Sequence, residues 1–299
     1  MKTFHNKHLA AVILIAVVAL LVIAVAWSAF FYDGKTPPPV TVQTTPVIMP
    51  AQTTESSGMT EETTNAVTSS DTPKPTGKVI ALTFDDGPSK YTEEILDLLE
   101  QYNAKATFFV NGYQLGTARA NTLRRMVSLG CEIGNHTTDH ERLTALSAEE
   151  IYDQLERVND MVQRLCGYRI TLMRPPGGHT SASVMQAMYD SGLRMKTILW
   201  NNDSLDWSFN SDYLKGEITR EEAVRKTYDM ICGYPLDGAI VLMHDIKEIT
   251  PDALELLLQK LVSEGYTFVT VSEMYDFEKM GEDLYFSKFY SQYQIECVK

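Results

Sequence analysis

The chain has 299 residues, 44% of them hydrophobic and 22% charged, enough for one large domain or two small ones and too apolar for a wholly disordered chain. Its 26 basic and 39 acidic residues leave a net charge of −13, the opposite of the basic footprint that draws a protein onto nucleic acid. A nucleic-acid partner is therefore disfavoured, and no protein partner is predicted.

Residues 1–8 carry Lys2 and Lys7, and residues 9–32 then run for 24 positions without a charged side chain. About 20 apolar residues span a bilayer, so 9–32 reads as a transmembrane segment. Lysines before it and Asp33 after it place the N-terminus in the cytoplasm and the rest outside the cell membrane. A cleaved signal peptide is the alternative, but its apolar core is only about 7 to 15 residues long, which favours an uncleaved anchor.

Residues 33–77 contain 12 Thr, 4 Ser and 7 Pro and no aromatic residue. With almost nothing to bury they read as a flexible tether, roughly 40 Å long as a random coil. The net charge divides as +2 over 1–32, −3 over 33–77 and −12 over 78–299, so the acidity belongs to the folded part. Cys131, Cys166, Cys232 and Cys297 form no CxxC pair. They read as buried thiols, although an exterior location would permit disulfides.

From Lys78 the pattern alternates between short apolar runs and amphipathic stretches. Predicted strands are 79–84, 106–110, 132–134, 170–173, 194–200, 239–243 and 267–271. Helices are expected at 91–102, 117–129, 147–165, 181–191, 219–231 and 251–264, with Ser147 and Glu150 offering a capping box. Seven strands alternating with helices over 78–275 point to an α/β fold, a distorted β/α barrel with its chemistry at the carboxyl ends of the strands. The remaining 276–299 form an aromatic extension in which Phe286, Phe289, Tyr290 and Tyr293 recur at helical spacing, suited to packing on the barrel.

Polar clusters follow the apolar runs. The first is Thr83-Phe84-Asp85-Asp86-Gly87-Pro88, which alone is a common turn. The second, His136-Thr137-Thr138-Asp139-His140, spaces two imidazoles four apart, so that on one helical turn they could meet one metal ion with a carboxylate as third ligand. An open position on such an ion would acidify a water and yield a nucleophile without serine or cysteine. HExxH protease chemistry does not fit, because Thr137 stands where that motif needs glutamate. Arg174-Pro175-Pro176-Gly177-Gly178, Asp203-Ser204-Leu205-Asp206-Trp207 and Leu242-Met243-His244-Asp245 complete the set, while His179 has no motif and reads as a loop residue.

These five clusters, in this order, resemble the motifs of the polysaccharide deacetylases of carbohydrate esterase family 4, over roughly residues 78–275. The resemblance implies a distorted β/α barrel and hydrolysis of acetyl groups on a glycan. It implies Asp86, His136 and His140 as ligands of one divalent ion, zinc by first choice with cobalt or another ion open, and Asp85 as general base. It also implies His244 as general acid oriented by Asp206, and Arg174 as the partner of the base. Gly177 would offer a backbone N–H to the oxyanion, and Trp207 and Leu242 would wall the acetyl methyl. The family commonly has tyrosine at the position of Gly177, so an aromatic wall is missing here. A membrane-anchored enzyme acting on a cell-wall glycan is the expectation, with peptidoglycan N-acetylglucosamine first among substrates. Chitin oligomers and acetyl-xylan are alternatives, as is an inactive glycan-binding homologue.

Overall fold

The computed structural model describes residues 77–275. The predicted N-terminal stretch 1–8, transmembrane segment 9–32, tether up to residue 76, aromatic extension 276–299 and Cys297 lie outside the described residues. Among the described residues no helix is long and apolar enough to cross a membrane.

Eight strands alternate with helices: β1 Val79–Asp85, α1 Thr92–Gln101, β2 Ala106–Val110, α2 Ala120–Ser128, β3 Glu132–Asn135, α3 Ala148–Cys166, β4 Leu172–Met173, α4 Ala182–Asp190, β5 Lys196–Thr197, β6 Asn202–Asp203, α5 Asp206–Leu214, α6 Arg220–Cys232, β7 Ala239–His244, α7 Thr250–Ser263, β8 Thr267–Phe268 and α8 Val271–Tyr275. Every pairing is parallel, in the order β5-β4-β3-β2-β1-β7-β6, with β8 pairing the start of β1. Only residues 198–201 join the two edge strands β5 and β6. Their link spans at most roughly 17 Å, whereas seven flat strands would be about 29 Å wide. The sheet therefore curls into an incompletely closed barrel.

Parallel strands buried on both faces carry apolar residues at every position, and the two-residue period sorts them. Ile80, Leu82 and Phe84 of β1, Phe108 and Val110 of β2, and Val241 and Met243 of β7 face outward. They pack on Ile95, Leu99, Leu123, Leu155 and Leu257 of the surrounding helices. The alternate positions Ala81, Phe109, Leu172 and Ile240 point inward and meet Ile198, Val271 and the partly buried Trp200, Met274 and Tyr275. The short α8 thereby closes the barrel floor. Its first turn is fastened by Thr107 Oγ1, which accepts from Val271 N, and by the buried Glu132 carboxylate, which accepts from Ser272 N at 3.2 Å.

The expected capping box is present: Ser147 Oγ accepts from Glu150 N and Glu150 Oε2 accepts from Ser147 N. Cys131, Cys166 and Cys232 are free thiols. Several expectations change: the strand expected at 170–173 shortens to Leu172–Met173, and the one at 267–271 to Thr267–Phe268, with Val271 opening a helix instead. The strand expected at 194–200 shortens to Lys196–Thr197: Ile198 N still donates to Met173 O at 2.8 Å, and beyond it the chain turns so that Ile198 and Trp200 fill the barrel interior. The polar run from Asn202 supplies β6 and α5, for which no strand or helix was expected.

Candidate active site

The same two-residue period brings the chemistry together. Asp85 lies in register with His244, one inward layer above Thr83 and Leu242, so β1 and β7 each deliver one functional side chain to the mouth at their carboxyl ends. Arg174 directly follows β4, and His136 directly follows β3.

Asp86, His136 and His140 form a cluster whose ligand atoms all lie within 4.8 Å of one another. Asp86 Oδ1 is 3.5 Å from His136 Nε2 and 3.3 Å from His140 Nε2. The imidazoles do not share a helical turn as the spacing suggested. They sit on an irregular loop in which Thr137 and His140 have φ of 69° and 58°, and Asp86 itself has φ of 76°. Left-handed backbone at non-glycine residues is costly, and here it aims the three side chains at one point.

His136 is buried and its Nδ1 lies 2.7 Å from Arg174 O. A carbonyl only accepts, so Nδ1 carries the proton and Nε2 presents its lone pair to the cluster. Burial pushes the His136 imidazolium down to about 3, keeping the ring neutral as a ligand must be. Asp86 Oδ1 is buried without a hydrogen-bond partner among the described residues. An orphaned carboxylate oxygen facing two imidazole nitrogens fits a divalent cation.

Asn111 ties the two ligand loops together: its N–H donates to Gly87 O at 3.0 Å and its Nδ2 donates to His136 O at 2.7 Å. Gly87 is obligatory, since a Cβ there would stand 2.0 Å from Asp245 Oδ2. Burial raises the Asp245 carboxyl to about 7, the hydroxyl of Thr92 opposing the shift.

On one side of the cluster, Asp85 Oδ1 accepts from Arg174 Nη1 at 2.8 Å, and Oδ2 lies 3.7 Å from His136 Nε2. Arg174 is fully buried, also donates to Thr83 Oγ1 and to the carbonyls of Ile198 and Leu199, and lies over the Phe109 ring. Burial raises the Asp85 pKa, while Arg174 and then His244 pull it down. A buried carboxylate held against a fixed cation results.

On the other side, Asp206 begins α5 and is buried. Its Oδ1 lies 2.7 Å from His244 Nδ1, and its Oδ2 accepts from His244 N and Thr250 Oγ1, both at 2.7 Å. Burial lowers the His244 pKa, but Asp206 overcomes it and the ring is raised to about 9. Burial likewise opposes ionisation of Asp206, and His244 turns its net shift downward.

The expected wall residues differ. Leu242 is buried beneath His244, whereas Trp207, next to Asp206, is 49% exposed. Gly177 is exposed with φ of 60°, and a Cβ on it would stand 3.1 Å from the His179 ring. His179 Nε2 in turn meets Arg142 Nη2 at 2.8 Å. Of the expected site residues, Asp85, Asp86, His136, His140, Arg174, Asp206 and His244 are thus brought together by direct contacts and register. Asn111, Thr250 and Arg142 join them without a spacing signal that could have marked them, whereas Asp245 closes the Leu242–Asp245 cluster and packs against the Gly87 turn.

The family model "Polysaccharide deacetylase" matches residues 72–196. The chain is 36% identical over 213 residues to the peptidoglycan-N-acetylmuramic acid deacetylase PdaC of Bacillus subtilis, covering 71% of this chain and 42% of that protein. It is 38% identical over 216 residues to the peptidoglycan-N-acetylglucosamine deacetylase PgdA of Listeria monocytogenes, covering 72% and 41%. The chain therefore spans about two fifths of the length of these relatives. The solved structure of PdaC superposes with a TM-score of 0.58 at 36% identity, over 68% of this chain and 92% of that one. A family 4 acetyl xylan esterase from Clostridium thermocellum, in complex with a cobalt ion, superposes with a TM-score of 0.59 at 31% identity, over 69% and 94%.

Proposed function

Since the chain belongs to the polysaccharide deacetylase family, we propose that it removes N-acetyl groups from amino sugars of peptidoglycan, N-acetylglucosamine first among them. The observation that carries this reading is one mouth holding three groups: the Asp86–His136–His140 cluster, the Asp85–Arg174 pair and the Asp206–His244 pair. A site with a buried base on one side and a cationic acid on the other suits amide hydrolysis.

Asp86, His136 and His140 would hold a divalent ion, zinc by first choice. Such an ion supplies Lewis acidity that polarises the acetyl carbonyl and acidifies water. Asp85 takes the proton of the attacking water through Oδ2 while Arg174 holds Oδ1. The Gly177 N–H faces the oxyanion formed at the carbonyl oxygen. As the carbon–nitrogen bond breaks, His244 gives its proton to the departing amine, and Asp206 keeps the ring charged until that moment. Acetate and a free amino sugar result. Trp207 offers the methyl group apolar surface, with Leu242 buried beneath His244 as backing.

The names of PdaC and PgdA support peptidoglycan, and that of the acetyl xylan esterase keeps ester substrates as the competing reading. The uncharged stretch 9–32 and the threonine- and proline-rich 33–77 support an anchored protein working outside the membrane, within reach of a wall. Acetate release by the full-length chain from peptidoglycan, chitin oligomers and acetyl-xylan, with and without a chelator, tests the reaction. Chelator-sensitive release from peptidoglycan is expected. Release from acetyl-xylan alone would replace the amide by an ester, and release from none would end the enzymatic reading.

A further inference from the structure

Arg142 and His179 meet at the rim of the mouth, on the loops that follow β3 and β4. Arg142 lies two residues beyond His140, and His179 lies two beyond Gly177. Both side chains are exposed, and Arg142 Nη2 stands 2.8 Å from His179 Nε2. A guanidinium has no acceptor, so it donates to His179 Nε2. The ring lies against Gly177: a side chain there would begin 3.1 Å from His179 Cδ2 and 3.3 Å from Nε2. The space beside the Gly177 amide is thus lined by an imidazole and a guanidinium rather than by an aromatic wall.

The cation is one of several in this protein, with the exposed Arg124 and Arg169, that have no carboxylate partner among the described residues. The folded part has a net charge of −12 over residues 78–299, and Arg157, Arg164, Arg220 and Arg225 on its surface are each paired with a carboxylate. Among the described residues no carboxylate pairs with Arg142. His179 orients the guanidinium without neutralising it, which leaves its remaining N–H groups for an outside acceptor. A planar fork held this way matches a carboxylate.

We infer that Arg142, steadied by His179, recognises a carboxylate on the glycan, carried by the sugar next to the one that loses its acetyl group. This rests on the deacetylase reading above and narrows its substrate. Chitin and acetyl-xylan present no carboxylate, whereas the alternating muramyl sugar of peptidoglycan presents one, either on its lactyl ether or, when that is amidated, on the attached peptide. The anion fixes the register of the chain, so that the neutral amino sugar falls at Asp85 and His244.

The test compares kcat/KM of the full-length, metal-loaded protein on four tetrasaccharides. These are a chito-oligomer, an alternating glucosaminyl-muramyl chain with free lactyl groups, its methyl ester, and its peptide-bearing form. Wild type is expected to prefer a carboxylate-bearing chain by roughly tenfold, the worth of one charge-assisted hydrogen bond, chiefly through KM. Arg142→Gln should collapse that ratio toward one, Arg142→Lys should keep part of it, and esterification should do to wild type what the glutamine does. Whether the free-lactyl or the peptide-bearing chain is preferred identifies which carboxylate is read. No preference, or a ratio unchanged in Arg142→Gln with its melting temperature intact, overturns the inference. If no chain yields acetate, the deacetylase reading has failed, and calorimetric titration of the lactyl chain against its methyl ester decides the site separately. Weaker binding of the acid alone in Arg142→Gln supports it, and equal binding of acid and ester to wild type rejects it.

Discussion

Asp206 grips His244 twice: Oδ1 meets the ring Nδ1 and Oδ2 accepts the backbone N–H, both at 2.7 Å. Two contacts to one residue fix ring position and ring charge together. Thr250 Oγ1 adds a third bond to the same carboxylate, so the imidazole is positioned by a chain that runs from the start of α7 through the start of α5 to the end of β7.

The pH dependence follows. With its pKa raised to about 9 by Asp206, His244 is an imidazolium across neutral pH, and acetate release should fall only as pH rises through about 9. Asp206→Asn should move that alkaline limb downward by one unit or more. The same pair should stabilise the fold fully below about 6.5, the ring's ordinary value, and lose its contribution as pH climbs through about 9. An alkaline limb that stays in place in the asparagine variant would show that another group sets it.

Asp85→Asn and His136→Ala should separate base from ligand. The first should abolish measurable turnover, a loss of at least about 100-fold, while the protein still takes up one equivalent of divalent metal. The second should lose turnover and metal together. Elemental analysis beside an acetate assay reads both, and normal activity in either variant contradicts the assigned roles.

Arg174→Met should destabilise the fold by about 3 to 5 kcal/mol, because it strands the buried Asp85 carboxylate. Adding Asp85→Asn removes the stranded charge and should recover part of the loss. Urea titration of the single and double variants checks this, and strictly additive effects would mean that the pair is not coupled.

Gly87→Ala places a methyl 2.0 Å from Asp245 Oδ2, and the turn carrying Asp86 has to shift. A displacement near 1 Å at a reacting centre costs about 100-fold in rate, so activity should fall on that scale and metal affinity with it. A metal titration and a rate matching wild type would show that the turn yields harmlessly.

The strand ends were readable because parallel strands are short apolar runs and their polar successors stand out against them. Asp85, His136, Arg174 and His244 all follow that rule. The geometry between them was not. Two histidines four apart suggested a helical turn, whereas left-handed Thr137 and His140 build an irregular loop, a conformation that spacing does not encode. The segment 194–200 looked like one long strand because Ile198 and Trp200 are apolar, yet their burial serves the barrel interior. Asn111 and Thr250 carry no signal at all, since a single amide or hydroxyl acquires its role only when the fold sets it beside a ligand loop or a carboxylate.

The pairing of β8 with the first residues of β1 gives the domain a handle and a working end. The described segment enters at Val79, and Thr267, its neighbour in the ladder, begins the exit through α8, on the side opposite the mouth. A load pulling on either end of that segment is taken up at the floor, along hydrogen bonds and a plug of apolar side chains remote from Asp85 and His244.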